Sequence, residues 1–274
     1  MKFYVSALLC VTLGGAACAH LPKPIEPFAA SRAVVRVQGA WLSLRLSQPS
    51  ASRQHKPLVL FITGDGGWRG KDLDAFNHLI GWGYPVVGVS APEYLRHLSH
   101  GQVPPQVLAD DIATIIAAGD QALHLPASIP VLLVGVSRGA DMVVIAAAQR
   151  SLRVPVQGVL AVGLTKEEEY VRRRRRRAAA PAVTAANEAD GKASSMARPY
   201  VALRRLAAPV CLIQSTNDQY VRAADARQMF GPDTDARQFH AIESRNHSFS
   251  DARGKLYDTM QTSLQWIAIR GGHQ

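Results

Sequence analysis

The chain has 274 residues, 47% of them hydrophobic and 19% charged, a balance that excludes a disordered polymer and suits one large α/β domain. Its 31 basic and 21 acidic residues leave a formal charge of +10, which favours anionic partners. Three cysteines are too few for a fold built on disulfides.

Met1 to Ala19 reads as an export signal: Lys2 supplies the positive end, Val5 to Leu13 a short apolar core, and Gly14 to Ala19 small residues. The segment is too short for a comfortable membrane span. Two processing routes compete. Ala17-Cys18-Ala19 fits the small-x-small cleavage rule and starts the mature chain at His20, whereas Cys18 as a lipidated cysteine would anchor a bacterial lipoprotein. Either way the expected location is periplasmic or secreted. Two cysteines fall inside this segment, leaving Cys211 in an apolar run as a small buried hydrophobe. Without Lys2 the mature chain has 30 basic and 21 acidic residues, a charge of +9. For an exported protein that charge points to peripheral contact with an anionic membrane surface ahead of nucleic acid.

Residues 20–31 are proline-rich and read as a tether, with the α/β domain following from residue 32 to residue 274. Val34 to Val37 and Trp41 to Leu46 predict a leading antiparallel pair of strands around Gln38-Gly39-Ala40. Leu58 to Thr63 predicts a buried strand that runs into Gly64-Asp65-Gly66-Gly67-Trp68. Glycines after a strand let backbone N–H groups turn towards a ligand. In a serine hydrolase this loop supplies the second oxyanion donor, here Asp65 or Gly66. A phosphate-binding loop is the poorer reading, since no G-K-[ST] completes it, and a tight turn without chemistry is the plain alternative. Asp72 is the expected cap of a helix running through Ile80. Tyr84 to Val89 predicts a strand, Ser90 to Tyr94 a loop at the ligand-binding edge of the sheet, and Pro105 to Ala118 an amphipathic helix.

Pro130 to Ala148 carries the strongest signal. Val131 to Val134 is an unbroken branched run, as in a strand buried on both faces of a parallel sheet. Gly135-Val136-Ser137-Arg138-Gly139 follows, a match to G-x-S-x-G, and then residues that suit a buried helix. A serine on a sharp strand-to-helix turn holds a strained backbone, so the residues two before and two after it must be small. The helix N-terminus behind it offers a backbone N–H, that of Arg138, to a developing oxyanion.

Val154 to Val162 predicts a further strand, and the alternation of strands with helices demands a mostly parallel sheet. Residues 165–200 break the rhythm. Thr165 and Glu168 form a capping-box pattern, and acids at 167–169 precede the run Arg172 to Arg177, which together predict a helical, arginine-rich insertion after the sixth strand with a loop from Pro181 to Arg198. Its basic face reads as solvated, or as touching anionic headgroups. Pro209 to Gln214 predicts a strand ending in Ser215-Thr216-Asn217-Asp218. Ala223 to Phe230 predicts a helix and Ala236 to Ile242 a strand, after which Arg245-Asn246-His247-Ser248-Phe249 opens a last helix over about 250–269.

Cleavage by serine needs a base for the hydroxyl proton and a carboxylate to orient that base. Ser137, Asp218 and His247 each follow a predicted strand, in the chain order of the α/β-hydrolase arrangement, so all three converge on one sheet edge. His240 is a rival base, and Asp225 or Glu243 are rival acids. No His or Asp cluster at metal-ligand spacing occurs, so neither metal nor cofactor is expected.

At these residues the sequence resembles the α/β-hydrolase superfamily over nearly all of the mature chain. TGDGGW at Thr63 to Trp68 together with GVSRGAD at Gly135 to Asp141 is similar to the VirJ-type bacterial virulence proteins. That resemblance implies export, hydrolysis of lysyl-phosphatidylglycerol, a role beside type IV secretion, Ser137 as nucleophile, and Asp141 in the motif's acidic position. The combined expectation is an exported serine hydrolase cleaving a carboxylic ester, with an aminoacylated phospholipid as substrate. Asp65, Glu93 or Asp141 would receive a lysyl ammonium, with Trp68 also at the substrate. A periplasmic binding or scaffolding protein on a hydrolase fold is the alternative from another class, and a general carboxylesterase or a peptidase the alternative within the enzymes.

Overall fold

Gln38 and Gly39 adopt positive φ, 47° and 77°, and turn β1 (Ser31–Val37) directly into β2 (Ala40–Ser47). Two consecutive left-handed residues make the tight turn whose twist matches that of the paired strands. The computed structural model describes residues 30–48, 56–97, 103–126, 128–169 and 196–272. The expected signal segment with Cys18, the tether up to residue 29 and the Arg172 to Arg177 run lie outside them.

After the hairpin, buried strands alternate with helices: β3 (Leu58–Ile62), α1 (Lys71–Gly81), β4 (Val86–Val89), α2 (Ala91–His97), α3 (Pro105–Ala122), β5 (Val131–Val136), α4 (Arg138–Ala147) and β6 (Val156–Val162). The short strands β7 (Glu168–Glu169) and β8 (Met196–Ala197) and the turn of helix α5 (Pro199–Leu203) come next, then β9 (Val210–Ser215), α6 (Ala223–Phe230), β10 (Arg237–Ile242) and α7 (Arg253–Gly271). Eight strands form one sheet in the order β1-β2-β4-β3-β5-β6-β9-β10. The β1–β2 and β2–β4 pairs are antiparallel and the rest parallel.

The unbroken apolar runs are split by the strand period of two. Leu58, Leu60, Ile62 and Leu133 face a core closed by Leu108, Ile112 and Ile115 of α3 and Val143 of α4. Val59, Phe61, Leu132 and Val134 face the opposite core, closed by Phe76 and Leu79 of α1 and Leu256, Met260 and Leu264 of α7. Cys211 of β9 is fully buried in this second core, and burial pushes its thiol pKa up to about 12. Among the described residues no helix is long and apolar enough to cross a membrane.

Two local expectations are corrected. Residues 91–97 are the helix α2, not a loop; the Ser90 hydroxyl sits 3.4 Å from the Glu93 N–H, starting the turn. Residues 165–169 do not start a helix. The Asp141 carboxylate takes both the Thr165 N–H at 2.9 Å and its hydroxyl at 2.7 Å, and Glu168 and Glu169 pair antiparallel with Ala197 and Met196. The described ends of the insertion are therefore a strand pair that brings the chain back beside α4 and into α5.

Candidate active site

Ser137 has φ 54° and ψ −122°, a backbone conformation that an L residue occupies only under strain. Three bonds hold it there. Its N–H extends the sheet ladder to Val162 O at 2.7 Å, and its carbonyl accepts the N–H groups of Ala140 at 2.8 Å and Asp141 at 3.2 Å, starting α4. The flanking glycines are forced by space. A Cβ on Gly135 would stand 2.2 Å from Gly139 O, and one on Gly139 would stand 2.1 Å from Ile62 O. Both obstacles are backbone, which cannot swing aside.

His247 Nε2 lies 2.8 Å from Ser137 Oγ, and its Nδ1 lies 2.6 Å from Asp218 Oδ2. The carboxylate can only accept, so Nδ1 carries the proton and Nε2 is left to accept from the serine hydroxyl. Asp218 is buried, and its charge is satisfied from all sides. Oδ2 also takes a Gln214 side-chain N–H at 2.9 Å, and Oδ1 takes the Tyr220 N–H at 2.8 Å. Gln214, fully buried on β9, is anchored in turn by the Leu164 N–H and Val221 O. The structure thus brings the three expected residues together at the C-terminal ends of β5, β9 and β10.

The loop after β10 is braced around His247. Gln219 Oε1 accepts the His247 N–H at 3.1 Å. Asp251 accepts from the Ser244 hydroxyl at 2.7 Å, the Arg245 N–H at 3.1 Å and Arg245 Nε at 3.0 Å. Gly163, at φ 68°, underlies the imidazole, and a Cβ there would meet its Cε1 at 2.8 Å. Tyr220 stands edge-on to the imidazole at 4.9 Å.

Opposite the imidazole, residues 64–67 form a turn closed by Gly67 N–H to Gly64 O at 3.0 Å. Gly64 passes so close to the serine that a Cβ would lie 3.0 Å from Ser137 Cβ. Asp65 and Gly66 line one cavity with Ser137 and His247, about 320 Å³ in volume, and Arg138 is the first residue of α4. The Arg138 guanidinium is ion-paired with Asp65, so side chains from both candidate oxyanion elements are tied to each other.

Asp72 does not cap α1, whose N-cap is Gly70 with no side-chain bond. Its Oδ2 instead accepts the Gly64 N–H at 2.8 Å, which pairs a buried backbone amide. Burial raises the Asp72 pKa, partly offset by Lys71 and by the Gly64 N–H.

Three of the residues expected at the substrate lie away from this cavity. Trp68 turns into the apolar layer, 5.2 Å from the Phe76 ring and with the Arg45 guanidinium 4.6 Å over it. Glu93 accepts the Ser43 N–H of β2 at 3.1 Å. Asp141 is fully buried and bound to Thr165. The rivals are elsewhere too: His240 lies within β10 with its pKa lowered by burial, Asp225 faces Arg222 on α6, and Glu243 is exposed. Among the described residues no three His, Cys, Asp or Glu side chains gather as a metal site. Sequence reasoning missed Gly163, Gln214, Gln219, Tyr220 and Asp251. Only Gln214 left a trace, as a polar residue inside the apolar run of β9.

Residues 56–173 match the family model of the bacterial virulence protein VirJ. No curated protein matches the chain. Among solved structures, Est1E from Butyrivibrio proteoclasticus matches at 13% identity and a TM-score of 0.61, over 86% of this chain and 99% of its own. The esterase domain of a Rhodothermus marinus protein matches at 16% and 0.58, over 87% and 99%. XC6422 from Xanthomonas campestris, described as an a/b serine hydrolase without lid, matches at 14% and 0.55, over 88% and 96%. At these identities the likeness is one of fold: the chain has the α/β-hydrolase fold.

Proposed function

We propose that this chain of α/β-hydrolase fold, carrying the VirJ match over residues 56–173, is a serine hydrolase that cleaves a carboxylic ester. The observation that carries the reading is the continuous relay from Ser137 Oγ through His247 to Asp218, with contacts of 2.8 and 2.6 Å. As Ser137 Oγ bonds to the ester carbonyl carbon, its proton passes to His247 Nε2, and Asp218 stabilises the imidazolium. The carbonyl oxygen becomes an oxyanion, met by the Arg138 N–H and by that of Asp65 or Gly66. Collapse breaks the carbon–oxygen bond to the alcohol, which leaves with the proton from Nε2. Water then attacks the acyl-serine by the same route, its proton passing through His247 back to Ser137, and the acid is released.

The test is labelling with a fluorophosphonate together with hydrolysis of p-nitrophenyl butyrate. The wild-type protein labels and turns over, while Ser137→Ala loses labelling and roughly 10⁶-fold in kcat. A folded wild-type protein that fails to label sinks the reading and favours a binding or scaffolding role.

Lysyl-phosphatidylglycerol is the finer substrate reading, supported by the family match. Release of lysine from vesicles containing that lipid tests it. Of the carboxylates expected to meet the ammonium, Glu93 and Asp141 are committed elsewhere and Asp65 is paired with Arg138, so the lysyl group would need another partner. Export rests on residues 1–19 alone and is tested by cell fractionation.

A further inference from the structure

The cavity beside Ser137 has a charge pattern that hydrolysis itself does not require. Arg69, Lys71 and Arg253 line it with Asp65 and Asp72. The two acids are already engaged. Asp65 is held by Arg138 from outside the lining, and Asp72 gives Oδ2 to the Gly64 N–H while burial disfavours its charged form.

The cations are less well satisfied. The Lys71 side chain is only 14% exposed, and its nearest carboxylate oxygen, Asp72 Oδ1, is 3.8 Å away, beyond hydrogen-bond range. Lysine is rarely withdrawn this far from water without a close partner. Arg253 reaches Asp74 with Nη1 at 3.2 Å, while its buried Nε has no hydrogen-bond partner. Arg69 is exposed, and among the described residues its side chain has no ion-pair partner. The lining therefore carries three cations against two carboxylates that are already engaged, and the open space is next to Ser137.

We infer that this cavity receives an anionic group carried by the ester substrate, bound by Arg69, Lys71 and Arg253 while Ser137 attacks the ester. The inference rests on the ester-hydrolase reading above. A volume of about 320 Å³ is at the lower end for ligand sites, so it accommodates a charged headgroup-sized fragment. Phosphate and carboxylate share the required chemistry, and a matched series separates them: 1-butyrylglycerol, 1-butyrylglycerol 3-phosphate and 1-succinylglycerol. All three are short soluble esters, which removes any membrane effect.

Wild-type protein is expected to show kcat/KM at least roughly tenfold higher for one charged ester than for the neutral one, the effect of one or two charge-assisted hydrogen bonds. The favoured ester identifies the anion as phosphate or carboxylate. In Arg69→Ala, a change on the exposed rim that leaves the core untouched, and in Lys71→Gln, the preference shrinks, mainly through KM. Calorimetric titration of Ser137→Ala with glycerol 3-phosphate, succinate and glycerol reads binding without turnover. Equal or poorer use of both charged esters, or failure of both anions to bind, overturns the subsite even if the neutral ester is hydrolysed. Anion binding without hydrolysis of any ester leaves the subsite standing and overturns the hydrolase reading.

Discussion

Asp218 spends both carboxylate oxygens on fixed donors: His247 Nδ1 and Gln214 Nε2 on one, the Tyr220 N–H on the other. A buried carboxylate so surrounded cannot rotate, and this fixes the imidazole tautomer. Asp218→Asn keeps the shape but presents an amide where the imidazole proton needs an anion, so kcat is expected to fall roughly 10⁴-fold with the fold intact. Steady-state kinetics beside a circular dichroism melt separates these two effects. Asp72 acts one step further out, by holding the Gly64 amide at 2.8 Å. Asp72→Ala strands that buried N–H, at a cost of about 1–3 kcal/mol, and frees the turn that carries the proposed oxyanion donor. kcat is expected to drop by roughly 10²-fold, whereas Asp72→Asn, which keeps an acceptor, recovers most of it. Equal activity of the two variants would show that the turn holds itself.

At the scale of the element, the loop between β10 and α7 depends on Asp251. The Ser244 hydroxyl, then the Arg245 N–H, hold its carboxyl down from 3.8 to about 2. A carboxyl with a depressed folded pKa contributes stability in full above its unfolded pKa and loses it as pH falls through the folded one. Asp251→Asn is therefore expected to melt below wild type at neutral pH, with the gap closing between about pH 4 and about pH 2. Thermal melts across that range check the sign. The same loop carries His247, so this variant also loses activity at neutral pH, where the brace matters most.

For the whole molecule, the layers are locked where small residues let elements close. Gly158 on β6 is such a point: a Cβ would lie 2.2 Å from Ile267 Cγ2 of α7 and 2.9 Å from Pro209 O. Gly158→Ala pushes α7 off the sheet and is expected to cost about 1–3 kcal/mol. That lowers the melting temperature by about 2–4 °C per kcal/mol in a domain of this size. Because the contact is remote from the triad, kcat at 25 °C is expected to stay close to wild type.

Much of this architecture follows from local chemistry. The period-two split of the apolar runs, the turn at Gln38-Gly39 and the glycines around Ser137 are all short-range demands, so the sequence by itself determined the eight strands of the main sheet in chain order, the elbow, and the sheet edge where Ser137, Asp218 and His247 meet, but not α2 or the strand pair at 168–169. Only the tertiary structure decided what each remaining carboxylate does. Asp65, Glu93 and Asp141 look equally available along the chain and Asp72 looks like a helix cap, yet Arg138, the Ser43 amide, Thr165 and the Gly64 amide claim them in turn. The partners of Asp65 and Glu93 lie 73 and 50 residues away. A carboxylate binds whichever donor the fold brings nearest once water is removed, and that competition has no signature in residue spacing. The same competition leaves three cations against two already engaged carboxylates in the cavity beside Ser137.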